Sequence, residues 1–204
     1  DTGSFIDYRN YKTEIPYDNL SIGFHTLTVT ATDIAGNTTV ATSNFEKAPP
    51  YTPLFPGEMF YMPFDGDYME FVSLSFPEEV GSPTFANDAK ICVNAYKGAP
   101  NSYLQFPLPE DIGTSFSGMF WYKVNASPDR AGIIVIGTEG IAENRNQGLR
   151  LFREGNATEQ RIKLNVGTGT GESWNDGGVI NVADGDWVHV AFTISNSQTI
   201  IYFN

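Results

Sequence analysis

Gln160-Arg161-Ile162-Lys163-Leu164-Asn165-Val166 alternates without a break, and a period of two is the signature of a half-buried strand. Ile162, Leu164 and Val166 take one face; Arg161, Lys163 and Asn165 take the other. The same alternation returns in Trp187–Ile194, where Val188, Val190, Phe192 and Ile194 form a core face and Trp187 and His189 lie opposite. In Phe116–Val124 the inward set is Phe116, Phe120, Tyr122 and Val124, which leaves Trp121 and Lys123 outside. Phe24–Ala31 and Ile133–Ile136 are rich in β-branched residues, which suit a pleated surface. Lys90-Ile91-Cys92-Val93 also reads as a strand that buries Cys92. Twenty Gly and twelve Pro leave little room for long helices. An all-β sandwich is the expected fold class.

The chain has 204 residues, with 12 Lys plus Arg against 24 Asp plus Glu and a formal charge of −12. That length holds one sizeable domain or two small ones. Hydrophobic residues at 41% and aromatics at 14% can supply a core, which excludes a wholly disordered chain. No apolar run approaches the roughly 18 residues of a membrane span. The acidic balance lacks the basic footprint that nucleic acid requires. A single cysteine rules out an internal disulfide and a cysteine-built zinc site. Between Lys47 and Gly57 stand four prolines, which make a stiff, extended connector. Residues 1–46 are expected to hold about three strands, ending in a hairpin that turns at Asp33-Ile34-Ala35-Gly36-Asn37. Residues 58–204 are expected to hold about a dozen short strands in a two-sheet jelly roll.

Two resemblances refine this outline. Gly23-Phe24-His25-Thr26-Leu27-Thr28-Val29-Thr30-Ala31-Thr32-Asp33-Ile34-Ala35-Gly36-Asn37 resembles the last hairpin of bacterial immunoglobulin-like modules. Tyr61–Asp67, Gly81–Phe85, Ser102–Pro107, the stretch Phe116-Ser117-Gly118-Met119-Phe120-Trp121-Tyr122-Lys123, and Asp184-Gly185-Asp186-Trp187-Val188-His189-Val190-Ala191 together resemble laminin-G-like, concanavalin A-like jelly rolls. Val188 stands where a second His is common in that family. The resemblance implies a jelly roll over 58–204, with the opening strands of the first module and the closing strands of the second expected outside these residues. The pairing of modules resembles the secreted or surface-anchored glycan-binding and adhesin-like proteins of gut bacteria. It implies a secreted or cell-surface location, with any lipid or covalent anchor elsewhere.

Catalysis is not expected. A retaining glycosidase needs two carboxyl groups about 5 Å apart. Asp65-Gly66-Asp67 reads as a turn, Glu78-Glu79 as a loop beside Pro77, and Glu139 and Glu143 flank a glycine loop. The two histidines, His25 and His189, fall in different modules, and no serine has a nucleophile elbow. Calcium asks only for oxygens. Asp65, Asp67 and Asp88 can supply them, as can Asp176 and Asp184, and the alternative is that these are solvated turn carboxylates.

Sugar binding needs exposed aromatic faces beside a few polar side chains. Trp174 lies in the polar stretch Gly171-Glu172-Ser173-Trp174-Asn175-Asp176-Gly177-Gly178, which reads as a loop; its indole either stacks on a ligand or folds back onto the core edge. Trp121 and His189 either face a binding groove or lie covered on the second face of their sheet. Arg150 and Lys163 belong to a segment, Trp121 to Asn165, that carries +2 within the acidic chain, a hint of an anionic glycan or simply of solvated strand faces. The expected ligand site is therefore Trp174, Trp121, His189, Arg150 and Lys163, for a glycan or polysaccharide. The alternative is an adhesion or spacer module with a protein partner.

Overall fold

The computed structural model describes residues 17–107, 112–124, 130–137, 146–155, 159–180 and 184–204. It is all-β, with no α-helix among the described residues, and it divides into two compact units at Thr52/Pro53.

In the first unit, β1 (Gly23–Thr32) and β2 (Thr38–Lys47) form an antiparallel hairpin in register from Gly23↔Lys47 to Thr32↔Thr38. Its turn is closed by the Asp33 carboxylate, which accepts the N–H groups of Ala35 and Asn37 at 2.9 Å each and the Asn37 side-chain amide at 2.7 Å. At the other end Lys47 Nζ donates to the carbonyls of Asp18 and Leu20.

The second unit contains two main sheets. One has four strands in the order β11 (Glu172–Asn175), β10 (Gln160–Gly167), β9 (Leu149–Gly155), β8 (Ala131–Ile136). The other has three, in the order β13 (Thr199–Phe203), β12 (Trp187–Ile194), β7 (Phe116–Lys123). All neighbours are antiparallel, and β8 carries an irregularity between Gly132 and Ile134. The described residues of the unit also hold two short pairs: β3 (Glu78–Val80) with β6 (Tyr103–Gln105), and β4 (Thr84–Ala86) with β5 (Ala95–Lys97).

The inward faces of the two main sheets share one core. Leu149, Leu151, Ile162 and Leu164 from the first pack with Val188, Val190, Phe192 and Ile194 from the second, joined by Val124 and Ile180. The alternation expected for β10 and β12 is the alternation observed: Val188, Val190, Phe192 and Ile194 are buried while Trp187, His189, Ala191 and Thr193 are partly exposed. Arg153 also points inward, fully buried at one end of this core, where its Nε donates to Gln160 Oε1 at 3.3 Å and its Nη2 to the Gly155 carbonyl at 2.9 Å.

Three local expectations are corrected. Cys92 is exposed and lies outside any strand with φ 61°, between exposed Ile91 and Val93; an apolar run forms no strand without a neighbour to pair with. Glu78-Glu79 is not a loop but the start of β3, paired with Leu104 and Gln105. Trp174 is not in a loop but in β11, which borrows its order from the ladder to β10.

Candidate functional site

The outward face of the four-stranded sheet is built by cross-strand register. Val135 pairs with Arg150, Arg150 with Asn165, and Asn165 with Trp174, so one row crosses β8, β9, β10 and β11. Opposed residues in an antiparallel pair have Cβ atoms about 5 Å apart, and this row is tied by side chains as well. Arg150 Nη1 donates to Asn165 Oδ1 at 2.7 Å, and Asn165 Nδ2 donates to Glu172 Oε2 at 2.9 Å. Glu172 and Trp174 are two apart on β11, so both project from this face. Asn165 is 0% exposed although it points away from the core.

Two residues further on, Gly167 ends β10 against a neighbouring segment. A Cβ there would lie 2.2 Å from the Gln147 backbone nitrogen, so only glycine lets segment 146–148 close over the end of β10. The closure is held by hydrogen bonds from Gly167 N to the Gly148 carbonyl and from Gly169 N to the Asn146 carbonyl, 2.8 Å each.

Trp174 stands at the open end of the row, 43% exposed, with its ring edge-on to Phe152 at 5.9 Å and 88°. Beside it, Lys163 Nζ lies 2.5 Å from Glu154 Oε2 and 3.1 Å from Asp176 Oδ1. The hydrogen bond to Glu154, then that to Asp176, raises the Lys163 pKa above its ordinary value. Glu154 also meets Arg130 at 3.3 Å, and Arg161 meets Glu159 at 2.9 Å.

Trp121 and His189 lie elsewhere. They oppose each other across β7 and β12, with ring centroids 5.1 Å apart, on the outward face of the three-stranded sheet. Lys90 Nζ sits 4.9 Å over the Trp121 ring, and Met119, Trp121 and Tyr202 are exposed. Two sheets that share one core turn their outer faces in opposite directions. The five residues expected to form one ligand site therefore form two: Trp174, Arg150 and Lys163 on one face, Trp121 and His189 on the other. Phe152, Glu154 and Glu172 join the first group, and no local pattern in the sequence marks them, because cross-strand register alone brings them to Trp174.

The carboxylates considered for calcium are not gathered. Asp65 Oδ1 accepts the N–H groups of Val93 and Asn94, Asp67 Oδ1 accepts that of Met69, and Asp88 is bonded to Lys123. That hydrogen bond, and next the Lys123 charge, hold Asp88 below the ordinary aspartate value. Among the described residues no group of three or more His, Cys, Asp or Glu side chains is arranged to hold a metal. Glu139 and Glu143 lie outside the described residues. A cavity of about 340 Å³ is lined by Phe76, Glu78, Gln105, Phe106 and Pro107, on the β3–β6 pair rather than on either main sheet. No helix among the described residues is long and apolar enough to cross a membrane.

No curated protein and no solved structure matches the chain. A family model, Laminin_G_3, described as the concanavalin A-like lectin/glucanases superfamily, matches residues 97–204. The match takes in both main sheets, the core between them and the Trp174 face, and it spans more than half of the 204 residues; the chain belongs to this laminin-G-like family of the concanavalin A-like superfamily.

Proposed function

We propose that this protein binds carbohydrate without turning it over, at the Trp174 face of the four-stranded sheet, and that it works in a secreted or cell-surface setting. The observation that carries the reading is an exposed indole, fixed edge-on by Phe152, beside the hydrogen-bonded string Arg150–Asn165–Glu172. Aromatic faces take the apolar face of a sugar ring, and fixed polar groups read its hydroxyls. The family's description covers both lectins and glucanases, so the choice rests on the carboxylates. Glu154 and Asp176 are bound to Lys163 and Glu172 to Asn165. Lys163 thus stands between Glu154 and Asp176, and Glu172 is tied into the polar string, an arrangement that favours holding a sugar over cleaving it.

The test is a glycan array on the purified chain, run with calcium and with a chelator, followed by titration of a hit against Trp174→Ala. The expected result is binding in both conditions and a loss of about tenfold or more in the variant, with unchanged thermal unfolding. Turnover of a hit by the wild type, or unchanged affinity in Trp174→Ala, would overturn the reading.

A second reading, adhesion to a protein, is favoured by the exposed Met119, Trp121 and Tyr202 on the opposite face, since Met and aromatic residues are enriched at interfaces. An array without hits, together with a protein partner whose binding is lost in Trp121→Ala, would select it.

A further inference from the structure

Charge bookkeeping on the Trp174 face names the class of glycan. Every described cation that reaches this face is engaged. Lys163 bridges Glu154 and Asp176, Arg130 meets Glu154, and Arg161 meets Glu159. Arg150 donates to Asn165, which hands on a donor to Glu172. Among the described residues this face thus holds four cations and four carboxylates whose formal charges cancel, three of the cations in direct ion pairs and Arg150 linked to Glu172 through Asn165, on a chain of −12. Among the described residues, the positive charge of this face is therefore matched by carboxylates, which disfavours a sulfate or a uronate.

The hydrogen-bonding polarity points the same way. Glu172 is exposed and projects from the same side of β11 as Trp174, with the Arg150–Asn165 pair orienting its carboxylate. An ionised carboxylate only accepts hydrogen bonds. Neutral sugar hydroxyls can donate to it, whereas sulfates and uronates are themselves acceptors and repel it.

Resting on the carbohydrate reading above, we infer that the Trp174 site selects uncharged glycans and that Glu172 is its specificity-determining hydroxyl acceptor. The Trp174 ring supports the sugar face, Glu172 takes its hydroxyls, and Asn165 and Arg150 are positioning residues that hold Glu172 in place.

The experiment measures affinity of the full chain for neutral probes (mannan, galactan, dextran and a panel of neutral oligosaccharides) and for anionic ones (heparin and polygalacturonate) at low and high salt. Trp174→Ala and Glu172→Gln are measured alongside. Supporting results are neutral binding that depends on Trp174, changes little with salt, and falls by about tenfold in Glu172→Gln, the order expected on losing a hydrogen bond to a charged group. Heparin or polygalacturonate binding that needs Trp174 and collapses with salt would overturn the neutral assignment while leaving carbohydrate binding intact. Unchanged neutral affinity in folded Glu172→Gln would remove Glu172 from its role. Silence on both probe sets would overturn this inference and the carbohydrate reading together. The wild-type salt dependence decides the charge question even where Glu172→Gln unfolds.

Discussion

Four donors converge on the Glu70 carboxylate, which is 1% exposed: the N–H groups of Tyr61 and Val72 at 2.8 and 2.7 Å on one oxygen, and the N–H and hydroxyl of Ser73 at 2.7 and 2.6 Å on the other. Burial pushes its pKa up, but the hydrogen bonds from Ser73, Tyr61 and Val72 together outweigh it and leave the group below its ordinary 4.5. A depressed folded pKa contributes stability that is complete above the ordinary value and is lost as pH falls through the folded one. Denaturant midpoints of the wild type should therefore drop on acidification below pH 4.5 more steeply than those of Glu70→Gln. Glu70→Ala, which strips three backbone N–H groups of their acceptor, is expected to cost about 3 kcal/mol in equilibrium unfolding. Packing sets a second residue-scale limit. A Cβ on Gly118 would lie 2.6 Å from the Phe192 ring inside the core, so Gly118→Ala should cost about 1–3 kcal/mol by the same measurement.

Among the elements, β10 does the most: it pairs with β9 and β11, sends Ile162 and Leu164 into the core, and presents Lys163 and Asn165 outward. Leu164→Ala is expected to destabilise by about 2–5 kcal/mol through the cavity it leaves. At the end of the same strand, Gly167→Ala should drive segment 146–148 off its seat and weaken glycan binding more than stability, a split that titration and thermal melting on one sample would reveal. The β1–β2 hairpin depends instead on its turn. Its Asp33 carboxyl is held below the ordinary 3.8, by the Asn37 side chain first and the Asn37 backbone next. Its contribution is accordingly present above that value and lost as pH falls through the folded pKa. Asp33→Ala should speed amide exchange along the β1–β2 ladder at neutral pH and leave exchange in β9 and β10 unaltered.

For the whole molecule, two units of unequal construction predict unequal protection. The described part of the first unit is a two-stranded hairpin with exposed Phe24, Val29 and Val40, and such hairpins are marginal in water by themselves. The second unit closes two sheets over one core. Hydrogen exchange should therefore show β1 and β2 opening at far lower free energy than β9, β10 and β12; equal protection across both units would contradict this.

Much of this plan is legible in the residue order, because alternation is a local property of a strand. Ile162 and Leu164 inward, Lys163 and Asn165 outward, Val188 to Ile194 in the core and the turn at Asp33 all follow from neighbours in the chain. So do the all-β class and the resemblance to concanavalin A-like jelly rolls. What local order does not contain is which strand lies beside which, and in what register. Cys92 has the composition of a strand but no partner to pair with. Trp174 has the composition of a loop but is drawn into β11 by its ladder to β10. Only the sheet order placed Trp121 and His189 on the face opposite Trp174, brought Phe152, Glu154 and Glu172 to that indole, and matched Lys163 to its two carboxylates. Those pairings join residues distant in the chain, and the physical terms that select them, core closure and cross-strand hydrogen bonding, exist only once both sheets are assembled.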